Sequence, residues 1–171
     1  APPGRAFCTE WRRRAPTSLY GRTKFGAVRV LLSEGRTVGF CLASVFGMSP
    51  RMRLDLLVNH FVYAAVTDGT LVLFEKEFKR NFVHVRDVAD CVLHCIHHAD
   101  AMQGRPYNVG LDSANLSKEE LALKVKEYVP GFYIHFAPIG DDPDKRNYIV
   151  SSRRLHETGL LPGRAIDDGV T

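Results

Sequence analysis

Short apolar segments alternate with longer amphipathic segments along most of this sequence, and this alternation limits the folds open to the chain. The strand candidates cover residues 38–42, 71–74, 82–85, 107–109 and 132–136, and the first of them is apolar enough to predict a buried strand. The helix candidates cover residues 18–33, 54–66, 86–99 and 117–128. Short strands separated by helices of this length are typical of an α/β fold with a parallel sheet.

Local signals set several of these boundaries. Ser18 is a suitable N-cap for the first helix, and Gly35 is a suitable stop. Ser117 followed by Glu120 forms a capping box, which predicts that another helix begins there. Residues 1–17 are rich in Pro, Gly and Arg and are predicted to be loop.

Composition excludes a disordered chain, a collagen-like repeat and a small protein held together by disulfides. The chain has 171 residues, of which 45% are hydrophobic and 25% charged, as expected for a globular chain of one domain or slightly more. Its net charge of +4 suits a small phosphorylated ligand as well as nucleic acid. The 4 cysteines show no disulfide spacing, and we find neither a membrane-length apolar run nor a signal peptide. We therefore expect a cytoplasmic protein that does not bind membranes.

The pair Tyr20 and Lys24 is the first candidate for chemistry. Four residues apart on a predicted helix, the two side chains project from one face. A phenol ordinarily titrates near pH 10, and an ammonium group close to it stabilises the phenolate. Such a pair can perform general acid–base work, although the same spacing also arises by chance on a solvated helix.

Several further motifs follow the pair in a fixed order. They are PTSLYGRTK at 16–24, LASVFG at 42–47, RNFVHVRDVA at 80–89, YNVG at 107–110 and DPDKR at 142–146. Together they resemble the extended short-chain dehydrogenase/reductases, specifically the NAD-dependent nucleotide-sugar epimerases and dehydratases. The resemblance covers the chain from about residue 6 onward. It implies the back half of a Rossmann-type parallel sheet with a small α/β substrate-binding domain.

The resemblance also implies roles around the cofactor NAD. Tyr20 would be the general acid or base that moves a proton on a sugar hydroxyl while a hydride passes to or from the nicotinamide. Lys24 would assist Tyr20 and bind the nicotinamide ribose. Leu42 and Val45 would complete the cofactor-binding residues.

For the substrate, the resemblance implies a nucleotide-diphosphate sugar. Ser44 would lie beside the sugar, and Arg80 and Arg146 would meet the diphosphate, which a planar guanidinium matches well. We expect Asp87 to cap its helix rather than to contact a ligand. A homodimer is expected for the parent protein, since relatives often dimerise through the helix that carries the tyrosine.

The sequence departs from the family pattern in several respects. No glycine-rich loop of the kind that holds a dinucleotide pyrophosphate is present, Cys41 replaces a common Arg, and Ser44 replaces a common Asn. We therefore expect a truncated NAD-binding domain in residues 1–50 and a mainly substrate-binding domain, with some returning Rossmann elements, in 51–171. Such a chain would be an incomplete catalytic unit that binds NAD poorly and is marginally stable.

Other interpretations remain open at this stage. The chain could be a non-catalytic family fragment that binds a ligand or a partner, and Arg12 to Arg14 beside Trp11 could suggest nucleic acid binding. We favour the enzyme interpretation and expect no nucleic acid partner. The helix with Cys91, His94, Cys95, His97 and His98 lacks a second cluster, so we expect no metal site. The motifs leave open which sugar and which nucleotide base are bound.

Overall fold

The first helix is defined by the signals at its two ends. The structure, a computed structural model, describes residues 7–10, 18–137 and 148–170. Helix α1 (Leu19–Ser33) begins where Ser18 Oγ accepts a hydrogen bond from the amide of Gly21 at 3.1 Å. It ends at Ser33, two residues before Gly35, whose φ of 72° is a left-handed conformation that glycine adopts without strain. Both boundary signals are confirmed.

The other helices and the strands follow the predicted alternation. The further helices are α2 (Leu57–Thr67), α3 (Val85–His97), α4 (Ala99–Met102), α5 (Lys118–Tyr128), α6 (Arg153–His156) and α7 (Asp167–Val170), with a 3-10 turn at Asp112–Ala114. The strands are β1 (Phe7–Cys8), β2 (Val38–Leu42), β3 (Ser44–Phe46), β4 (Thr70–Leu73), β5 (Lys79–His84), β6 (Arg105–Val109), β7 (Asn115–Ser117), β8 (Tyr133–Phe136) and β9 (Ile149–Val150). The predicted capping box opens α5, with Ser117 and Glu120 bonded to each other's backbone amides. The α/β class is confirmed.

Most strand pairs are parallel. β2 pairs with β6, β3 with β5, β4 with β8 and β1 with β9 in parallel, whereas β5 and β7 are antiparallel. β2 and β3 are separated only by Ala43, whose amide donates to the carbonyl of Val109 at 2.9 Å. Strands on both sides of residue 50 therefore pair with one another, and the predicted domain boundary there stays a prediction.

Two apolar clusters form the core. One joins α2, β4 and α5 and includes Phe46, Phe61, Phe82 and Phe132, and the other joins β5, α3 and β6 around Val83, Cys91, Met102 and Tyr107. Phe82 and Val83 are neighbours on β5 whose side chains alternate between the strand's two faces, so β5 lies between the clusters. Within the described ranges, no helix is long and apolar enough to cross a membrane.

Three local expectations were wrong. β2 is half-buried, with Leu42 exposed, because among the described residues it pairs only with β6 and lacks a second neighbouring strand. Phe7–Cys8 lie in a strand because β9 supplies a partner more than a hundred residues away, which local composition cannot reveal. The second helix begins at Leu57 rather than at residue 54, and Arg53 and Asp55 form an exposed ion pair in the preceding loop.

Candidate functional site

Tyr20 and Lys24 lie together on the outer surface of α1. The Lys24 ammonium is 5.6 Å from the centre of the Tyr20 ring, and 72% of Tyr20 is exposed. No residue of α1 is buried. The i,i+4 spacing thus brings the phenol and the ammonium to one accessible face, although their chemical roles stay a prediction.

Leu42 lies where the parallel strands β2 and β6 end, and Ser44 and Val45 follow it as the first two residues of β3. The carboxyl ends of parallel strands are the usual ligand-binding edge of an α/β sheet. Leu42 closes β2 with 49% of its surface exposed, and Ser44 and Val45 in β3 are half-buried. Leu32 of α1 packs over Gly39 of β2, which joins the Tyr20 helix to this strand.

Arg80 differs from the other candidates because it is almost fully buried. Only 4% of Arg80 is exposed, and its Nη1 donates to the carbonyl of Lys79 at 3.3 Å. Arg80 lies two positions before Phe82 in β5, and Phe82 is the register partner of Ser44 in β3. Its contact with a substrate diphosphate stays a prediction. Arg146, the other arginine predicted for the diphosphate, lies outside the described residues.

His84 has a structural role that the sequence analysis missed. It ends β5 and caps α3, because its Nδ1 accepts from the amide of Arg86 at 3.2 Å. Its ring meets Phe46 edge-on at 5.2 Å. Burial lowers the pKa of His84, which favours the neutral ring that this cap requires. Histidine is uncommon as an N-cap, so only its position at the end of an apolar strand could have indicated the role.

Asp87 does not cap α3, and that expectation was wrong. Its carboxylate is 4% exposed and accepts from the backbone amide of Arg164 at 3.0 Å and from the Arg164 guanidinium at 2.5 Å. Asp90 accepts from the same guanidinium at 2.6 Å. The pair ties the C-terminal segment to α3, and no local sequence signal links residues so far apart.

The cysteines and histidines of α3 do not converge on a common point. Cys91 is fully buried, and burial raises the pKa of its thiol to about 11. His94 and His98 stack with ring centres 4.1 Å apart, and His94 Nε2 lies 3.1 Å from Thr158 Oγ1. In the part of the chain that the structure describes, no group of three or more His, Cys, Asp or Glu residues could hold a metal ion.

Comparison with known proteins gives one family match. The family model described as the NAD dependent epimerase/dehydratase family matches residues 3–110. This range includes α1, β2, β3 and β5, which carry the candidate residues of the described chain.

Solved structures of similar fold cover nearly the whole chain. A dTDP-glucose 4,6-dehydratase from Bacillus anthracis, in complex with NAD, has a TM-score of 0.78 at 20% identity over 96% of this chain and 53% of that one. An ADP-L-glycero-D-manno-heptose-6-epimerase from Helicobacter pylori has a TM-score of 0.79 at 22% identity over 98% and 53%. MoeE5, in complex with UDP-glucose and NAD, has a TM-score of 0.77 at 22% identity over 98% and 58%. The chain thus spans just over half the length of these proteins, and the likeness shows a shared fold.

Proposed function

Because the chain belongs to the NAD-dependent epimerase/dehydratase family, we propose that it supplies the acid–base and substrate-binding residues of a nucleotide-sugar epimerase or dehydratase. The reaction would pass a hydride between the sugar of a nucleotide-diphosphate sugar and NAD. The observation that carries this proposal is the Tyr20–Lys24 pair, exposed at the start of α1 within the matched range. Because both side chains are exposed, neither packs in the core, and both are accessible to a ligand.

Tyr20 is the proposed proton carrier. When the sugar is oxidised, the phenolate oxygen takes the proton of the reacting hydroxyl while the carbon gives up its hydride. NAD, when bound, would accept this hydride. Lys24 stabilises the phenolate by its positive charge and donates hydrogen bonds toward the nicotinamide ribose.

The chain provides residues for only one end of the cofactor. Tyr20, Lys24, Leu42 and Val45 are exposed or half-buried, which fits residues that surround a nicotinamide and its ribose. The sequence has no glycine-rich loop for the pyrophosphate. We therefore propose that the chain is an incomplete catalytic unit, and that a parent enzyme joins it to the glycine-rich part of the NAD site.

The substrate residues are proposed on charge and position. Ser44 begins β3 directly after the carboxyl end of β2, and the sugar is proposed to lie beside it. Arg80 and Arg146 neutralise the diphosphate. Solved structures of similar fold contain UDP-glucose or carry the name of a dTDP-sugar dehydratase, which supports this class of substrate. A homodimer is proposed for the parent enzyme.

Two measurements test the proposal. Calorimetric titration of the 171-residue chain with NAD is expected to show no tight binding; tight binding would contradict the incompleteness of the cofactor site. In the parent enzyme, Tyr20→Phe is expected to reduce kcat by about 100-fold or more while NAD still binds. The matched control is Tyr63→Phe, an exposed tyrosine on α2. Full turnover by Tyr20→Phe would exclude Tyr20 as the acid–base group, and a parent enzyme that binds nucleotide sugars without turnover would favour the non-catalytic alternative.

A further inference from the structure

One buried side chain holds both ends of the loop that follows β3. Asn59, in the first turn of α2, is 5% exposed. Its Oδ1 accepts from the amide of Gly47 at 3.3 Å, and its Nδ2 donates to the carbonyl of Arg53 at 3.0 Å. The amide group thus satisfies one backbone donor and one backbone acceptor at the two ends of loop 47–53. Removing it would leave both groups without this partner, which is costly away from water.

The beginning of the loop is also fixed by close packing. Gly47 has a φ of 106°, and a Cβ at this position would lie 2.6 Å from Nε2 of His84. Only glycine therefore fits between this turn and the His84 ring. The loop leaves the core at a defined point and in a defined direction.

Between its anchors, loop 47–53 presents side chains suited to a ligand. Met48 is 84% exposed, Met52 is partly exposed, and the Arg51 side chain is exposed. Methionine adapts its shape to an apolar or ring surface, and arginine suits phosphate. The loop starts three positions after Ser44, at the carboxyl end of a parallel strand.

We propose that Asn59 is a positioning residue that holds loop 47–53 as one wall of the sugar-nucleotide site. Asn59 does not contact the substrate. It fixes both loop ends, so that the exposed Met48 and Arg51 are presented after the carboxyl end of β3, the strand that Ser44 begins. This inference rests on the proposed function and adds a residue from α2 to its substrate site.

Limited trypsin digestion tests, without a ligand, whether Asn59 holds loop 47–53 in place. Arg51 and Arg53 are cleavage sites inside the loop, and Arg36, between α1 and β2, is an internal reference. In the 171-residue chain, Asn59→Ala is expected to raise cleavage after Arg51 and Arg53 about tenfold relative to Arg36. Asn59→Asp keeps an acceptor for Gly47 but sets a buried carboxylate against the Arg53 carbonyl, so it is expected to raise this cleavage as well.

Asn115→Ala is the matched control for a general loss of stability. Asn115 also bonds backbone groups through both ends of its amide, since Oδ1 accepts from Val150 at 2.9 Å and Nδ2 donates to the Val150 carbonyl at 3.1 Å. It lies outside loop 47–53 and should leave the cleavage ratio unchanged. A wild-type cleavage ratio in Asn59→Ala, or an equal increase of this ratio in Asn115→Ala, would show that Asn59 does not hold the loop.

Ligand binding by the parent enzyme tests the role in the site. UDP-glucose, dTDP-glucose and ADP-glycero-manno-heptose are the probes, measured by calorimetry with NAD present. For the probe that binds, Asn59→Ala is expected to raise Kd and KM about tenfold with a smaller change in kcat. Asn115→Ala is expected to leave Kd and KM at their wild-type values. An unchanged Kd together with increased loop cleavage would overturn the role in the site and leave the proposed function intact. A wild-type parent that binds none of the probes would instead contradict the proposed function, and the site role with it.

Discussion

Arg164 holds the buried carboxylate of Asp87 with both its backbone and its side chain. The amide donates to one carboxylate oxygen at 3.0 Å and the guanidinium to the other at 2.5 Å. The two residues are 77 positions apart. This contact fastens the C-terminal segment, with Ile166 in the core, to the helix that follows β5.

Arg164→Ala is expected to destabilise the chain because it leaves the Asp87 carboxylate buried without its cation. Urea unfolding followed by circular dichroism measures the effect. Arg153→Ala is the control, since its pair with Glu157 is exposed and contributes little. We expect the loss of unfolding free energy to be at least about threefold larger for Arg164→Ala. Equal losses would show that the Asp87 contact is not a significant anchor.

The stability of the chain should fall as the pH drops below about 6.5, the ordinary value for histidine. Burial lowers the pKa of His84 in the folded state, so the unfolded chain binds its proton more readily. The free energy of unfolding therefore rises as the pH increases from the lowered pKa of His84 to the ordinary pKa of histidine. It falls again as the pH decreases over the same interval. Urea unfolding at pH 7.5 and 5.5 is expected to show a smaller pH effect in His84→Asn than in wild type. His60→Asn, a control at an exposed position on α2, should keep the wild-type pH dependence.

Two glycine substitutions should have opposite effects. A Cβ at Gly110 would overlap Oδ1 of Asn81, a fully buried side chain whose Nδ2 donates to the Leu111 carbonyl at 2.8 Å. Gly110→Ala is expected to cost about 1–3 kcal/mol of unfolding free energy. Gly26→Ala in the middle of α1 meets nothing within 4 Å and is expected to add about 0.5–1 kcal/mol. Thermal unfolding measures both, and a stable Gly110→Ala variant would contradict the close packing against Asn81.

Lys24→Gln in the parent enzyme should lower kcat by about 10-fold or more, because the phenol loses the ammonium that lies 5.6 Å from its ring centre. Lys126→Gln, an exposed lysine on α5, is the control and should retain the wild-type rate. The measurement is steady-state turnover of the nucleotide sugar that the parent binds. Wild-type kcat in Lys24→Gln would remove Lys24 from the proposed mechanism.

The sequence predicted those parts of the fold that depend on neighbouring residues. Helix α1 starts at Ser18 and α5 at its capping box because cap side chains bond amides three residues away. The order of strands and helices followed from apolar periodicity, and the motifs around Tyr20 and Arg80 identified the family before any fold was known. Tyr20 and Lys24 share a face because helical geometry alone brings positions four apart together.

Tertiary structure determined the features that depend on the path of the chain. Asp87 pairs with Arg164, Asn59 joins Gly47 to Arg53, and Phe7–Cys8 become a strand only because distant segments meet them. Burial also depends on how the strands and helices assemble. Leu42 ends an apolar strand yet is half exposed, because among the described residues β2 pairs only with β6. Local sequence fixes backbone preference and side-chain chemistry. Long-range packing decides which residue pairs with a buried charge or with a strand edge. A short segment of sequence carries no information about that packing.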